Sequence, residues 1–133
     1  MTPFRLSLHP GESIFDQLVF AAKKAFVSGE LQPGQSFPSV RSLAVEFKIH
    51  PNTAHKVVQH LIQERWLESR PGIGTVVAEM PEPRRGDRKR LLEREIEQLV
   101  VEAKRLELDI DDVIQAIEDQ WAKLEESQEV SRK

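Results

Sequence analysis

The chain has 133 residues, enough for one globular domain and a small appendage, with 39% hydrophobic and 31% charged residues. It contains no cysteine, which excludes disulfides, thiolate metal sites and a thiol nucleophile, and no apolar run approaches the ~18–20 residues that span a bilayer. The net charge of −3 is unevenly placed, since residues 1–80 hold 8 basic and 7 acidic side chains and residues 81–133 hold 11 and 15.

Apolar residues at helical spacing predict the first two helices. The stretch 12–28 carries apolar side chains every three or four residues, and Gly29 is a typical helix stop. A second helix is predicted to begin after Ser39, because serine is a favourable N-cap and here follows a proline. The apolar face of this second helix consists of Val40, Leu43, Ala44 and Phe47.

A tight break separates the second helix from a third. Pro51 suits the first helical position, where its missing N–H costs nothing, and the third helix is predicted over 51–65. The segment Arg70-Pro71-Gly72-Ile73 then suits a type II turn between two short strands, with glycine where φ is positive. Two helices across a tight turn and a following hairpin are typical of a winged helix-turn-helix, whose second helix commonly enters the major groove of DNA. The sequence therefore predicts a mainly α fold with a small β-wing.

The composition changes after residue 80. Pro81-Glu82-Pro83 marks a linker, so the predicted domains are residues 1–80, a DNA-binding domain, and residues 81–133, a linker with a two-helix tail. Apolar residues in the tail alternate in steps of four and three, the pattern of helices that pair through a seam. We expect a second copy of the chain to cover these seams, and packing against the chain's own winged helix is the alternative. The predicted dimerisation residues are Leu92, Ile96, Leu99, Ala103 and Leu106 in one helix and Ile110, Ile114, Ile117, Trp121 and Leu124 in the next.

Five segments of the chain form a recognisable pattern, namely 28–34, 37–44, 50–54, 65–70 and 72–75. Together they resemble the GntR family of bacterial regulators. The short two-helix tail is similar to that of the YtrA-type subfamily. The resemblance implies a bacterial repressor, often of a transporter operon.

The resemblance also implies which residues contact DNA. Arg41 falls on the family's arginine that reaches a phosphate or a guanine, and Ser39 falls on the helix start that meets a phosphate. Arg70 and Gly72 fall on the wing, which lies on or in the minor groove. His50 stands where the family usually has Asn or Ser as the cap of the third helix, the recognition helix. The exposed start of the recognition helix carries Asn52, Thr53, His55 and Lys56.

Other polar groups allow further readings. The cluster Arg84-Arg85 with Arg88-Lys89-Arg90 is either part of a solvated linker or an auxiliary phosphate contact beside the wing. His55 and His60 are five residues apart, ~140° around a helix, and cannot share a face as metal ligands. Acidic pairs in the tail indicate a solvated helix face, and the chain has no nucleophile motif and no glycine-rich phosphate loop. We therefore predict no metal, no cofactor and no catalytic activity.

These observations together predict a sequence-specific DNA-binding transcription regulator. We expect a repressor that binds an inverted-repeat operator as a homodimer, with half-site centres ~34–36 Å apart, at a transporter operon and at its own promoter. We expect a cytoplasmic protein without a membrane partner, because its first residues lack the apolar core of a signal peptide. Any effector would bind at a domain or subunit interface, since the tail is too small for an internal cavity. The alternative is a winged-helix adaptor that binds a protein through the same surface.

Overall fold

The computed structural model describes residues 4, 6 and 8–132. Residues 1–3, 5, 7 and 133 of the two predicted domains lie outside the described residues. The described backbone forms two compact units, one of the residues up to 81 with those from 127 onward, and one of Glu82–Glu126. The predicted mainly α fold with a small β-wing is confirmed. Its elements are α1 (Ile14–Ser28), α2 (Val40–Phe47), α3 (Pro51–Gln63), β1 (Leu67–Arg70), β2 (Gly74–Val77), α4 (Asp87–Arg90), a π-helical segment (Leu91–Glu95), α5 (Ile96–Arg105) and α6 (Ile110–Arg132).

The core of the first unit lies between α1, α2, α3 and the base of the hairpin. Helix α1 begins two residues later than its predicted start, because Ser13 is its N-cap and accepts a hydrogen bond from the Asp16 N–H at 3.2 Å. Gly29 ends the helix with φ of 85°, as predicted. Its fully buried aliphatic side chains include Leu18, Leu43, Val57, Leu61 and Leu67.

Helices α2 and α3 form the predicted helix-turn-helix. Ser39 caps α2 by accepting a hydrogen bond from the Ser42 N–H at 3.1 Å, and Lys48 ends α2 in the left-handed conformation, with φ of 53°. Helix α3 ends at Gln63, earlier than predicted. Arg65 adopts φ of 68° there, and the Trp66 N–H donates to the Leu61 carbonyl at 2.9 Å, which completes a Schellman motif.

Strands β1 and β2 form the antiparallel wing, with Leu67 opposite Val77 at its base. The turn at the tip is closed by the Ile73 N–H, which donates to the Arg70 carbonyl at 3.1 Å. Gly72 has φ of 78°, the value for which the type II turn requires glycine. The segment before α2 also pairs along β2, through a bridge between Ser36 and Val76, and this extra pairing fixes the base of the wing.

The second unit consists of two helical stretches. Right-handed helical backbone continues through α4, the π-helical segment and α5, and ends where Glu107 turns left-handed with φ of 58°. Asp109 precedes α6 and its carbonyl accepts from the Val113 N–H at 3.3 Å. Within residues 4, 6 and 8–132, no helix is both long enough and apolar enough to cross a membrane.

Candidate nucleic-acid interface

The start of the recognition helix α3 is capped by an imidazole. Nδ1 of His50 accepts a hydrogen bond from the Asn52 N–H at 3.0 Å, and the His50 carbonyl accepts from the Ala54 N–H at 3.2 Å. Serine or asparagine usually performs this task with a side-chain oxygen. The histidine at this position therefore supplies the N-cap, and Pro51 follows it at the first helical position.

Helix α3 presents a polar face that is separate from its buried face. Asn52, His55 and Lys56 are exposed, whereas Thr53 is half-buried at the edge of the face. Their spacing of three and four residues places Asn52, His55 and Lys56 on one side of the helix. Gln59 continues this side one turn beyond His55 and is also exposed, although the sequence analysis did not select it. The opposite side is buried and consists of Ala54, Val57, Val58 and Leu61.

Arg41 lies in the first turn of α2, next to the cap. Its side chain is exposed, and among the described residues no acidic group or other partner holds its guanidinium. Ser39 differs from Arg41, because its Oγ already accepts from the Ser42 N–H and lies 3.0 Å from the Ser42 Oγ. Arg41 thus has five donors free for a ligand, whereas the hydroxyl of Ser39 is engaged in capping.

The wing carries one paired cation and an open tip. Nε of Arg70 donates to Oε1 of Glu68 at 3.0 Å, and both side chains are about half exposed. A DNA phosphate near Arg70 would compete with this carboxylate. Gly72 is exposed at the tip, and no atom lies within 4 Å of the place where a Cβ would stand, so the wing backbone can approach a ligand closely.

An ionic brace that the sequence analysis missed ties the end of α3 to α1. Oε1 of Glu64 lies 3.1 Å from Nζ of Lys23 and 2.7 Å from Nε2 of His60. Partial burial raises the pKa of Glu64, but the hydrogen bond and charge of Lys23, together with His60, outweigh it and hold that pKa below its ordinary value. Within residues 4, 6 and 8–132, no three His, Cys, Asp or Glu side chains form a metal-binding group.

The second unit contains an apolar groove between α5 and α6, with a volume of about 600 Å³. Six predicted dimerisation residues line it, namely Leu99, Ala103, Leu106, Ile117, Trp121 and Leu124. The groove also includes three apolar residues that the seam spacing missed, namely Leu108, Val113 and Ala116. Its polar rim consists of Glu102, Asp112 and Gln120.

The other four predicted seam residues do not line this groove. Ile96 and Ile114 are exposed, and Leu92 and Ile110 are 68% and 73% exposed. Leu92 lies in the π-helical segment, whose wider turns shift its angular position relative to α5. The spacing of four and three residues assumes unbroken α-helix, so it could not place Leu92 correctly against Ile96.

Comparisons with known proteins agree with this geometry. Residues 16–77 match the family described as "Bacterial regulatory proteins, gntR family". The Bacillus subtilis (strain 168) "HTH-type transcriptional repressor YtrA" is 30% identical over 91 residues, which are 68% of this chain and 70% of that protein. The "Uncharacterized HTH-type transcriptional regulator YhcF" of the same organism is 31% identical over 104 residues, 78% and 83% of the two chains. A transcriptional antiterminator from Listeria monocytogenes EGD-e shares the fold, with a TM-score of 0.75 at 21% identity over 90% of this chain and 92% of that chain.

Proposed function

Because the chain belongs to the GntR family of DNA-binding, non-enzymatic bacterial regulators, and within it to the YtrA type, we propose that it represses transcription by binding an inverted-repeat operator as a homodimer. The observation that carries this proposal is the exposed polar face of α3, which has a capped start and a fully buried opposite side. The repressor role is supported by the 30% identical relative that bears that name. We propose operators at a transporter operon and at the protein's own promoter, and an action in the cytoplasm.

In the proposed complex, residues 1–80 supply all sequence recognition. Helix α3 enters the major groove, where Asn52 and His55 contact base edges and Lys56 contacts phosphate. Arg41 reaches a phosphate or a guanine, and Gly72 lets the wing approach the minor groove. The remaining proposed contacts are to the DNA backbone. They are made near the starts of α2 and α3 and on the wing, by Ser39, His50, Thr53 and Arg70.

Residues 81–133 hold the two copies together in this proposal. The groove between α5 and α6 exposes apolar surface that a second copy can bury, and the resulting two-fold symmetry matches an inverted repeat. The two recognition helices would then lie ~34–36 Å apart, one helical turn of B-DNA. Occupation of promoter DNA by this dimer would exclude RNA polymerase, which is the simplest route to repression.

Selection from random duplex DNA, followed by genome-wide footprinting, tests the proposal. We expect the wild-type protein to enrich an inverted repeat, and we expect Asn52→Ala and His55→Ala to change the preferred bases. Lys56→Ala should weaken binding to all sequences, with Lys24→Ala as a control because Lys24 is an exposed lysine of α1. A wild-type protein that enriches no motif would contradict the proposal and favour a protein-binding adaptor.

Arg41 offers a sharper test of the proposed contact with DNA. Arg41→Ala should weaken operator binding by ~1–3 kcal/mol if the guanidinium holds a guanine with two hydrogen bonds, and by less if it meets only phosphate. Arg41→Lys separates these cases, because lysine keeps the charge but loses the planar pair of donors. Equal affinities of wild type and Arg41→Ala in gel-shift titrations, with unchanged circular dichroism, would remove Arg41 from the interface.

A further inference from the structure

The start of the tail carries a dense basic cluster, which we define as residues 84–90. Five of these seven residues are cationic and one is acidic, so its net charge is +4. The chain beyond it is strongly acidic, since residues 91–133 hold 6 basic and 13 acidic side chains. Positive charge is therefore concentrated at the end of the tail that is joined to the DNA-binding domain.

The protein itself leaves most of this charge unpaired. Asp87 lies 3.3 Å from Nη2 of Arg90, and its other oxygen accepts from the Arg84 backbone N–H at 2.7 Å. Within the described part of the chain, no acidic side chain pairs with the side chains of Arg84, Arg85, Arg88 or Lys89, and all four are exposed. Four cations are thus available to an external ligand.

Local helix stability does not explain the cluster. Cations in a first helical turn oppose the helix dipole, and anions are favoured there. The other helix ends of this unit follow that rule, because α6 has Asp111 and Asp112 in its first turn and α5 has Lys104 and Arg105 in its last. The start of α4 follows the rule only in part, because Asp87 is joined there by the cations Arg88, Lys89 and Arg90.

Only a short segment of chain joins the cluster to the wing. Arg84 follows Val77, the last residue of β2, by seven residues. Seven extended residues span at most ~25 Å, which is less than one helical turn of B-DNA at ~34–36 Å. The chain therefore limits Arg84 to at most ~25 Å from Val77, at the base of the wing.

We propose that Arg84, Arg85, Arg88 and Lys89 bind backbone phosphates of the DNA that flanks each half-site. This inference rests on the proposed function and adds a second, sequence-independent contact to it. Phosphate binding releases counterions, so each contact adds ~0.9 to the slope of log affinity against log salt concentration. The contact also offsets the repulsion between DNA phosphates and the acidic remainder of the tail.

The test compares Arg84→Gln/Arg85→Gln/Arg88→Gln/Lys89→Gln with a matched Lys104→Gln/Lys123→Gln control. Arg90 is kept because it pairs with Asp87. Affinity is measured by fluorescence anisotropy from 50 to 300 mM KCl, on a minimal operator and on an operator with ten flanking base pairs on each side. For the cluster variant we expect the salt slope on the flanked duplex to fall by up to ~7 units, because each of the two copies loses four contacts worth ~0.9 each, and affinity in 200 mM KCl to fall at least tenfold. The control should match wild type in slope, and the minimal duplex should show little difference between variants.

Three outcomes overturn the proposal. The first is a cluster variant with the wild-type slope on the flanked duplex. The second is an equal loss per removed charge in the two variants, which remove four and two charges, because this would indicate a general charge effect. The third is a raised dimer dissociation constant in sedimentation equilibrium with an unchanged slope, because the cluster would then serve the contact between copies. Motif selection by the wild-type protein is scored separately, so a failure of sequence-specific binding is distinguished from a failure of the cluster.

Discussion

The two compact units treat their apolar residues in opposite ways. In the first, Leu43, Ala54 and Leu61 are 0% exposed, and three helices and a hairpin surround them. In the second, Leu99, Ile117 and Trp121 are 40%, 44% and 64% exposed, and Ala103 is its only buried apolar residue among those described. The first unit therefore buries its apolar side chains within one chain, whereas the second leaves the surface through which we propose that two copies associate. Apolar surface of this extent marks a site of association.

The largest expected effect comes from charging the groove. Leu99→Glu or Ile117→Glu places an unpaired carboxylate in the groove that we propose as the dimer interface, so we expect monomers and a ~10²–10⁴-fold loss of operator affinity. Val101→Glu is the matched control, since Val101 is an exposed apolar residue of the same helix that does not line the groove. Sedimentation equilibrium and anisotropy measure the two effects. If Leu99→Glu stays dimeric, the interface lies elsewhere.

Truncating a core side chain of the first unit should affect stability differently from truncating a side chain of the groove. Leu61→Ala removes buried methyl groups, and we expect the free energy of unfolding to fall by ~2–5 kcal/mol at every protein concentration. Leu99→Ala should instead lower stability by an amount that depends on protein concentration, because it weakens association. Urea denaturation at two concentrations separates the cases. If the loss of stability in Leu61→Ala varied with protein concentration, the first unit would not be independently stable.

Both units end a helix with a left-handed residue other than glycine, at Arg65 and Glu107. A residue with a Cβ costs ~1–2 kcal/mol in this conformation. Glycine avoids that cost but loses more conformational entropy on folding, which cancels part of the gain. We therefore expect Glu107→Gly to stabilise the protein by ~0.5–1 kcal/mol and Glu107→Ala to give no gain. Thermal unfolding of both variants checks this, and a loss of stability in Glu107→Gly would show that the side chain itself contributes.

The smallest effect concerns the brace at Glu64. Because the pKa of Glu64 is lowered in the folded state, its carboxylate stabilises the fold above the ordinary pKa, and this contribution is lost as the pH falls through the lowered value. The pair is partly exposed, so we expect Glu64→Gln to cost at most ~1 kcal/mol at pH 7. The difference from wild type should therefore shrink as the pH is lowered through the acid range. A difference that does not change with pH would assign it to packing.

Local chemistry made much of this fold predictable. Ser39, Pro51 and Gly72 each specify a cap, a helix start or a turn through their own backbone preferences, and the elements lie where these residues indicate. Arg65 was missed, because its left-handed conformation results from tertiary packing of Trp66 and not from any preference of arginine. The brace joins Lys23 to Glu64, 41 residues apart, and no local signal connects them.

The site was predictable to a similar degree. The family resemblance selected residues at the start of α3 but not Gln59, which is also exposed and lies one helical turn beyond His55. The tail spacing found six groove residues, yet Leu108 and Val113 depend on how the turn between α5 and α6 is built. The π-helical segment at 91–95 left no pattern that sequence periodicity could detect.

The His50 cap also determines which ring nitrogen of the neutral His50 side chain carries the hydrogen at the start of the recognition helix. Since Nδ1 accepts from the Asn52 N–H, the neutral ring must hold its hydrogen on Nε2. His50 is exposed, so its Nε2–H is a donor beside backbone amides that already favour an anion. The imidazole has two nitrogens, so it can hold the helix with one and offer a hydrogen bond to a phosphate with the other.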